Sequence, residues 1–74
     1  MNPSQQIQVI VNGAPRPLRA DATLAQLLES MGIGSDAKGV AVAVGDSVVR
    51  KADWPATTLT DGARVEVVTA VQGG

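Results

Sequence analysis

The residues best suited to chemistry stand at the end of the sequence, Val71-Gln72-Gly73-Gly74. A terminal carboxylate on glycine is the least hindered carboxylate a protein can make. Neither of the last two residues has a Cβ, so a thin strand there can thread a narrow channel into another protein's active site. Inside such a site the carboxylate can be activated as an acyl-adenylate and then attacked. Two terminal glycines are also what a frayed end contains, since the last residues of most domains are poorly ordered. The choice between these readings rests on the rest of the chain.

The other side chains offer little chemistry. The sequence contains no His, Cys or Tyr. The usual general base at neutral pH is therefore missing, and so is the best nucleophile. A carboxylate pair or an activated Ser or Lys remains conceivable. The seven acidic residues, however, are scattered, mostly at turn and cap positions. Gly32, Gly34 and Gly39 match neither common phosphate-loop spacing. Without cysteine there is neither a disulfide frame nor a thiolate metal site. A formal net charge of −1 with no Lys/Arg run argues against nucleic acid as a partner. No stretch is long enough to span a bilayer, and no signal-peptide pattern opens the chain, so a cytoplasmic location is expected. The composition is that of a protein acted upon.

Seventy-four residues predict one small domain over residues 1–74, with a marginal core. Met1 to Gln6 reads as a loose lead-in, and Val71 to Gly74 as a flexible reactive tail. Between them, Ile7-Gln8-Val9-Ile10-Val11 alternates as a strand with Ile7, Val9 and Val11 on one face. Asn12-Gly13 is a strong hairpin signal. The returning segment, Ala14 to Ala20, carries Pro15 and Pro17 and so should be an edge strand.

Thr23 and Gln26 form a capping-box pattern ahead of a helix. Leu24, Leu27, Leu28 and Met31 fall on one stripe of it, and Gly32 suits its left-handed end. Ile33 to Lys38 reads as a loop, Gly39 to Val44 as a strand, and Gly45-Asp46 as a two-residue turn with glycine first. Ser47-Val48-Val49 returns as a short strand. Lys51 to Pro55 could form one helical turn, ended near the proline. Asp61-Gly62 marks another turn, and Arg64 to Ala70 is the last strand, running into the tail.

One helix is available to cover one face of one sheet. A right-handed crossover then lets the last strand lie parallel to the first. The expected fold is α+β, a β-grasp with a mixed sheet of about five strands and one main helix. Such a fold projects its C-terminus from the end of a central strand.

At this point the sequence resembles a known family, the ThiS-type sulfur carriers of thiamine biosynthesis, which are small ubiquitin-like proteins. The matching pieces run in order. They are Ile7 to Gly13, Thr23-Leu24-Ala25-Gln26-Leu27-Leu28, Val48-Val49-Arg50-Lys51 with Trp54, Asp61-Gly62-Ala63-Arg64-Val65-Glu66-Val67-Val68, and Gly73-Gly74. The family often has proline then arginine where this chain has Arg50 and Lys51, and asparagine where it has Gly45.

The resemblance implies a two-step reaction at Gly74. A separate adenylating enzyme, using ATP and magnesium, makes the acyl-adenylate. Sulfur from a cysteine persulfide, supplied by a donor such as a cysteine desulfurase, then replaces AMP. The resulting thiocarboxylate is drawn on by thiazole synthase. The chain itself would bind no cofactor and no metal. Related readings keep the same fold: a sulfur carrier for molybdopterin, cysteine or siderophore synthesis, a protein modifier joined to lysines through Gly74, or an interaction module with an inert tail.

Alternation on the last strand nominates a docking surface. Val65 and Val67 are assigned to the helix-covered face, meeting Leu24, Leu27 and Leu28. Glu66, Val68 and Ala70 then face the open side near the reactive end. Lys51 could add a rim contact or simply be solvated. Trp54, the one aromatic residue, reads as a structural anchor.

Overall fold

The structure, a computed structural model, describes residues 5–69. The hairpin forms first: β1 (Gln6–Val11) pairs antiparallel with β2 (Ala14–Arg19) across the Asn12-Gly13 turn. Strand β1 begins one residue earlier than the sequence suggests, because Gln6 pairs with Arg19. Residues 1–4 of the expected lead-in lie outside the described residues.

Helix α1 (Leu24–Ser30) follows, with the full capping box in place. The Thr23 N–H donates to Gln26 Oε1 at 2.9 Å, and the Gln26 N–H donates to Thr23 Oγ1 at 3.2 Å. At the other end Gly32 takes φ +85°, which lets its N–H reach the Glu29 carbonyl and the Ile33 N–H reach the Leu28 carbonyl. That pairing closes the helix in a left-handed C-terminal motif. A seven-residue helix is marginal by itself, so its stability must come from what it packs on.

Strand β3 (Val40–Val44) turns at Gly45-Asp46 into the short edge strand β4 (Ser47–Val49). A 3-10 helix spans Lys51–Ala56 and runs through Pro55. It ends one residue past Pro55, near the proline as expected. A proline's fixed φ falls within the 3-10 range, so it costs the helix only one donor. Strand β5 (Arg64–Thr69) completes one sheet in the order β2-β1-β5-β3-β4. It pairs parallel with β1 and antiparallel with β3, so β5 is central and β2, with its two prolines, is an edge.

The core lies between the sheet and α1. Val9, Val11, Val42 and Val65 from the sheet are buried with Leu24, Leu27 and Leu28 from the helix. The helix does not cover this face alone, as the sequence reading had it. Trp54 and Leu59 are each only 2% exposed and belong to the same cluster. The segment that carries them also pins the start of α1. The Leu24 N–H, one of the helix's free first-turn donors, meets the Thr57 carbonyl at 2.7 Å, and the Leu59 N–H meets the Ala22 carbonyl at 3.0 Å.

Candidate functional site

Residues 70–74, which include Ala70 and the whole Val71-Gln72-Gly73-Gly74 tail, lie outside the described residues. What the structure defines is the platform that leads to them. On β5, Val65 is fully buried and Val67 is half-buried against the core. Glu66 and Val68 therefore project from the opposite face of the sheet, and Val68 is 62% exposed.

Register shows what surrounds Val68. Ala41 on β3 stands opposite it, and Ala43 stands opposite both Glu66 on β5 and Val48 on β4. Val48 is 75% exposed. Two large apolar side chains are thus joined across the open face by two alanines. The alanines add no bulk, so the strip is flat. A single exposed valine is ordinary, but a contiguous apolar strip on an uncovered face is the kind of surface that marks contact with another protein. Arg64 and Glu66 share the same face of β5 and supply charge beside the strip.

Two side chains fix β5 in this position by standing in for main-chain groups. At its entry, Asp61 Oδ1 accepts from the Gln8 N–H at 2.8 Å, while the Gly62 N–H donates to the Gln8 carbonyl. Further along, the side-chain amide of Asn12 bonds both main-chain groups of Val67. Lys51, the remaining sequence-nominated contact, stands apart from the strip. It lines a cleft with Ala25, Glu29, Ile33 and Trp54 on the helix side, and its Nζ donates to the Ala37 carbonyl. Among the described residues no cluster of acidic side chains could hold a metal ion, and no helix is long and apolar enough to cross a membrane.

Sequence reasoning missed Val48. The register of its two-residue turn carried the signal, because placing Val49 opposite Val42 inside forces Val48 outward. It also read Asn12 only as a turn residue.

Comparison with known proteins gives the platform a family. The family model described as the ThiS family matches residues 9–74, which includes the di-glycine. The chain is similar to the sulfur carrier protein ThiS of Thermus thermophilus, with 44% identity over 66 residues, covering 89% of this chain and 98% of that protein. Its fold is similar to the crystal structure of the thiamine biosynthesis protein ThiS from Geobacter metallireducens, with a TM-score of 0.74 and 27% identity over 92% of this chain and all of that one. The five-stranded mixed sheet under one main helix is accordingly a β-grasp fold. On the family match and the identity together, this chain belongs to the ThiS family.

Proposed function

We propose that the chain is a sulfur carrier for thiamine biosynthesis and not itself a catalyst. In the first step a partner enzyme binds the open face. The Gly74 carboxylate attacks the α-phosphorus of ATP there, with magnesium held by the partner. Pyrophosphate leaves and an acyl-adenylate remains. In the second step the outer sulfur of a cysteine persulfide attacks the Gly74 carbonyl and displaces AMP, giving an acyl disulfide. An external thiol then attacks the donor cysteine's sulfur, forming a disulfide with it and releasing Gly74 as the thiocarboxylate, since this chain has no cysteine of its own. Thiazole synthase then takes that sulfur. A cytoplasmic location, where ATP is at hand, belongs to the same reading.

The observation that carries the proposal is the apolar strip through Val48, Ala43, Ala41 and Val68 on the face of β5 that no described element covers. It is a recognition surface on the strand that precedes Gly73-Gly74. The partner contacts assigned are Val68 and Glu66, with Ala70 next along the chain. The lack of His, Cys and Tyr agrees, since each reactive group must then come from outside.

The test is pyrophosphate release by a cognate adenylating enzyme with ATP and magnesium. Release should depend on adding the chain and should saturate with its concentration. Release unaffected by the chain would contradict the proposal.

A further inference from the structure

Asn12 closes the two-residue turn between β1 and β2, with φ +51°, a conformation asparagine tolerates better than most residues. Its side chain points back across the sheet to β5. The Val67 N–H donates to Asn12 Oδ1 at 2.8 Å, and Asn12 Nδ2 donates to the Val67 carbonyl at 3.2 Å.

The geometry explains why an amide is needed there. In a strand, alternate residues turn their main-chain groups toward alternate neighbours. The carbonyls of Ala63 and Val65 face β1, where they accept from the N–H groups of Ile10 and Asn12. The Arg64 carbonyl faces the other way and accepts from Gly45. Val67 is in the β1-facing set. By that point the hairpin has carried the β1 main chain away, and its last paired residue on the β5 side is Val11, opposite Val65. Among the described residues both polar groups of Val67 would lack a partner without Asn12, and such groups in a sheet are normally paired. The side-chain amide has the same donor and acceptor as a peptide group and extends the β1–β5 ladder by one step.

On its other side β5 stays paired with β3 as far as Val40 and Thr69. With Asn12, β5 is held from both sides through Val67. Without it, the last part of β5 is held from β3 alone and can swing about that pairing.

We infer that Asn12 is a positioning residue for the reaction at Gly74: its amide fixes the end of β5 and so sets the direction in which the chain leaves Thr69 for a partner's active site. This rests on the sulfur-carrier reading. It goes beyond that reading by separating aim from docking. The open-face strip governs how much carrier the partner needs, whereas Asn12 governs how often a docked carrier presents its carboxylate correctly.

The experiment compares the full chain with its Asn12→Gly and Asn12→Asp variants. Glycine keeps the left-handed turn and removes both bonds. Aspartate keeps the turn and the acceptor but loses the donor. Two readouts are taken well below the melting temperature: hydrogen exchange at the Val67 amide, and steady-state adenylation across carrier concentration.

For Asn12→Gly, Val67 should exchange about tenfold faster once its bond partner is gone. The kcat should fall about tenfold, inside the roughly hundredfold loss that a 1 Å misplacement can cause. The KM for carrier should stay within about twofold, since the strip is untouched. Asn12→Asp should fall between. If Asn12→Gly does not fold, the same order of parent above Asn12→Asp decides the matter.

An unchanged kcat with fast Val67 exchange would overturn the inference, and so would a raised KM with kcat preserved. If the parent chain itself is never adenylated, the sulfur-carrier reading fails and the inference fails with it.

Discussion

The indole nitrogen of Trp54 donates to the carbonyl oxygen of Val49 at 3.1 Å, tying the 3-10 helix to the end of edge strand β4. Trp54 is 2% exposed and belongs to the same core cluster as Leu59. The two contributions are separable. Trp54→Ala loses both and should cost about 3–5 kcal/mol, enough to unfold many domains of this size. Trp54→Phe keeps most of the bulk and loses the hydrogen bond, and should cost about 1 kcal/mol for that bond. Urea midpoints check both values. A near-normal midpoint for Trp54→Ala would mean that the ring is not an anchor.

Val65 and Val68 sit on opposite faces of one strand, and the same substitution should affect them in opposite ways. Val68→Asp should leave stability within about 0.5 kcal/mol, as at most exposed positions. It should raise the carrier concentration needed for half-maximal adenylation, since a charge then sits in the apolar strip. Val65→Asp buries an unpaired carboxylate and should unfold the domain. Thermal melts and adenylation titrations separate the outcomes. Normal titration by a folded Val68→Asp would place the docking surface elsewhere.

The reactive end should be separable from the fold. The core closes at Val65 and Val67, upstream of the tail. Gly73→Leu, or deletion of Gly74, should therefore change stability by no more than about 0.5 kcal/mol while abolishing activation. A large drop in melting temperature for either change would give these residues a structural role.

The capping box gives a purely structural control. Thr23→Ala removes the acceptor for the Gln26 N–H and should cost about 1 kcal/mol, visible as a lower urea midpoint with an unchanged slope. Adenylation by the folded fraction should be unaffected. Impaired adenylation at full folding would bring the helix start into the docking surface.

Much of this was legible because it is local. The alternation in Ile7 to Val11, the spacing of Thr23 and Gln26, the Asn12-Gly13 turn and the two prolines of β2 each act within a few residues. Each led to the correct element. The facing of Val65 and Val68 followed from strand alternation once the helix had been placed. What stayed hidden depends on contacts between distant parts of the chain. Leu59 lies in an irregular stretch, so no period marks it as core, and its burial comes from the pairing of its segment with Ala22 and Leu24. Asn12 already had a sufficient local reason to be asparagine. Its second role binds a residue 55 positions away, and no pattern in the sequence signals it. Lys51 is exposed, in keeping with the solvated reading of it and not with a rim contact beside Val68. The 3-10 helix carries it to the helix side of the sheet.

The central claim is that Gly74 carries sulfur, and the intact mass of the chain tests it most directly. The chain is incubated with a cognate adenylating enzyme, ATP, magnesium, a persulfide-forming cysteine desulfurase with cysteine, and a thiol reductant that releases the thiocarboxylate from the acyl disulfide, and then weighed. The account predicts a mass gain equal to the exchange of one oxygen for one sulfur, confined to the C-terminal peptide and absent without ATP. An unchanged mass in a reaction where a known ThiS carrier is converted, or a product joined to lysine, would contradict it.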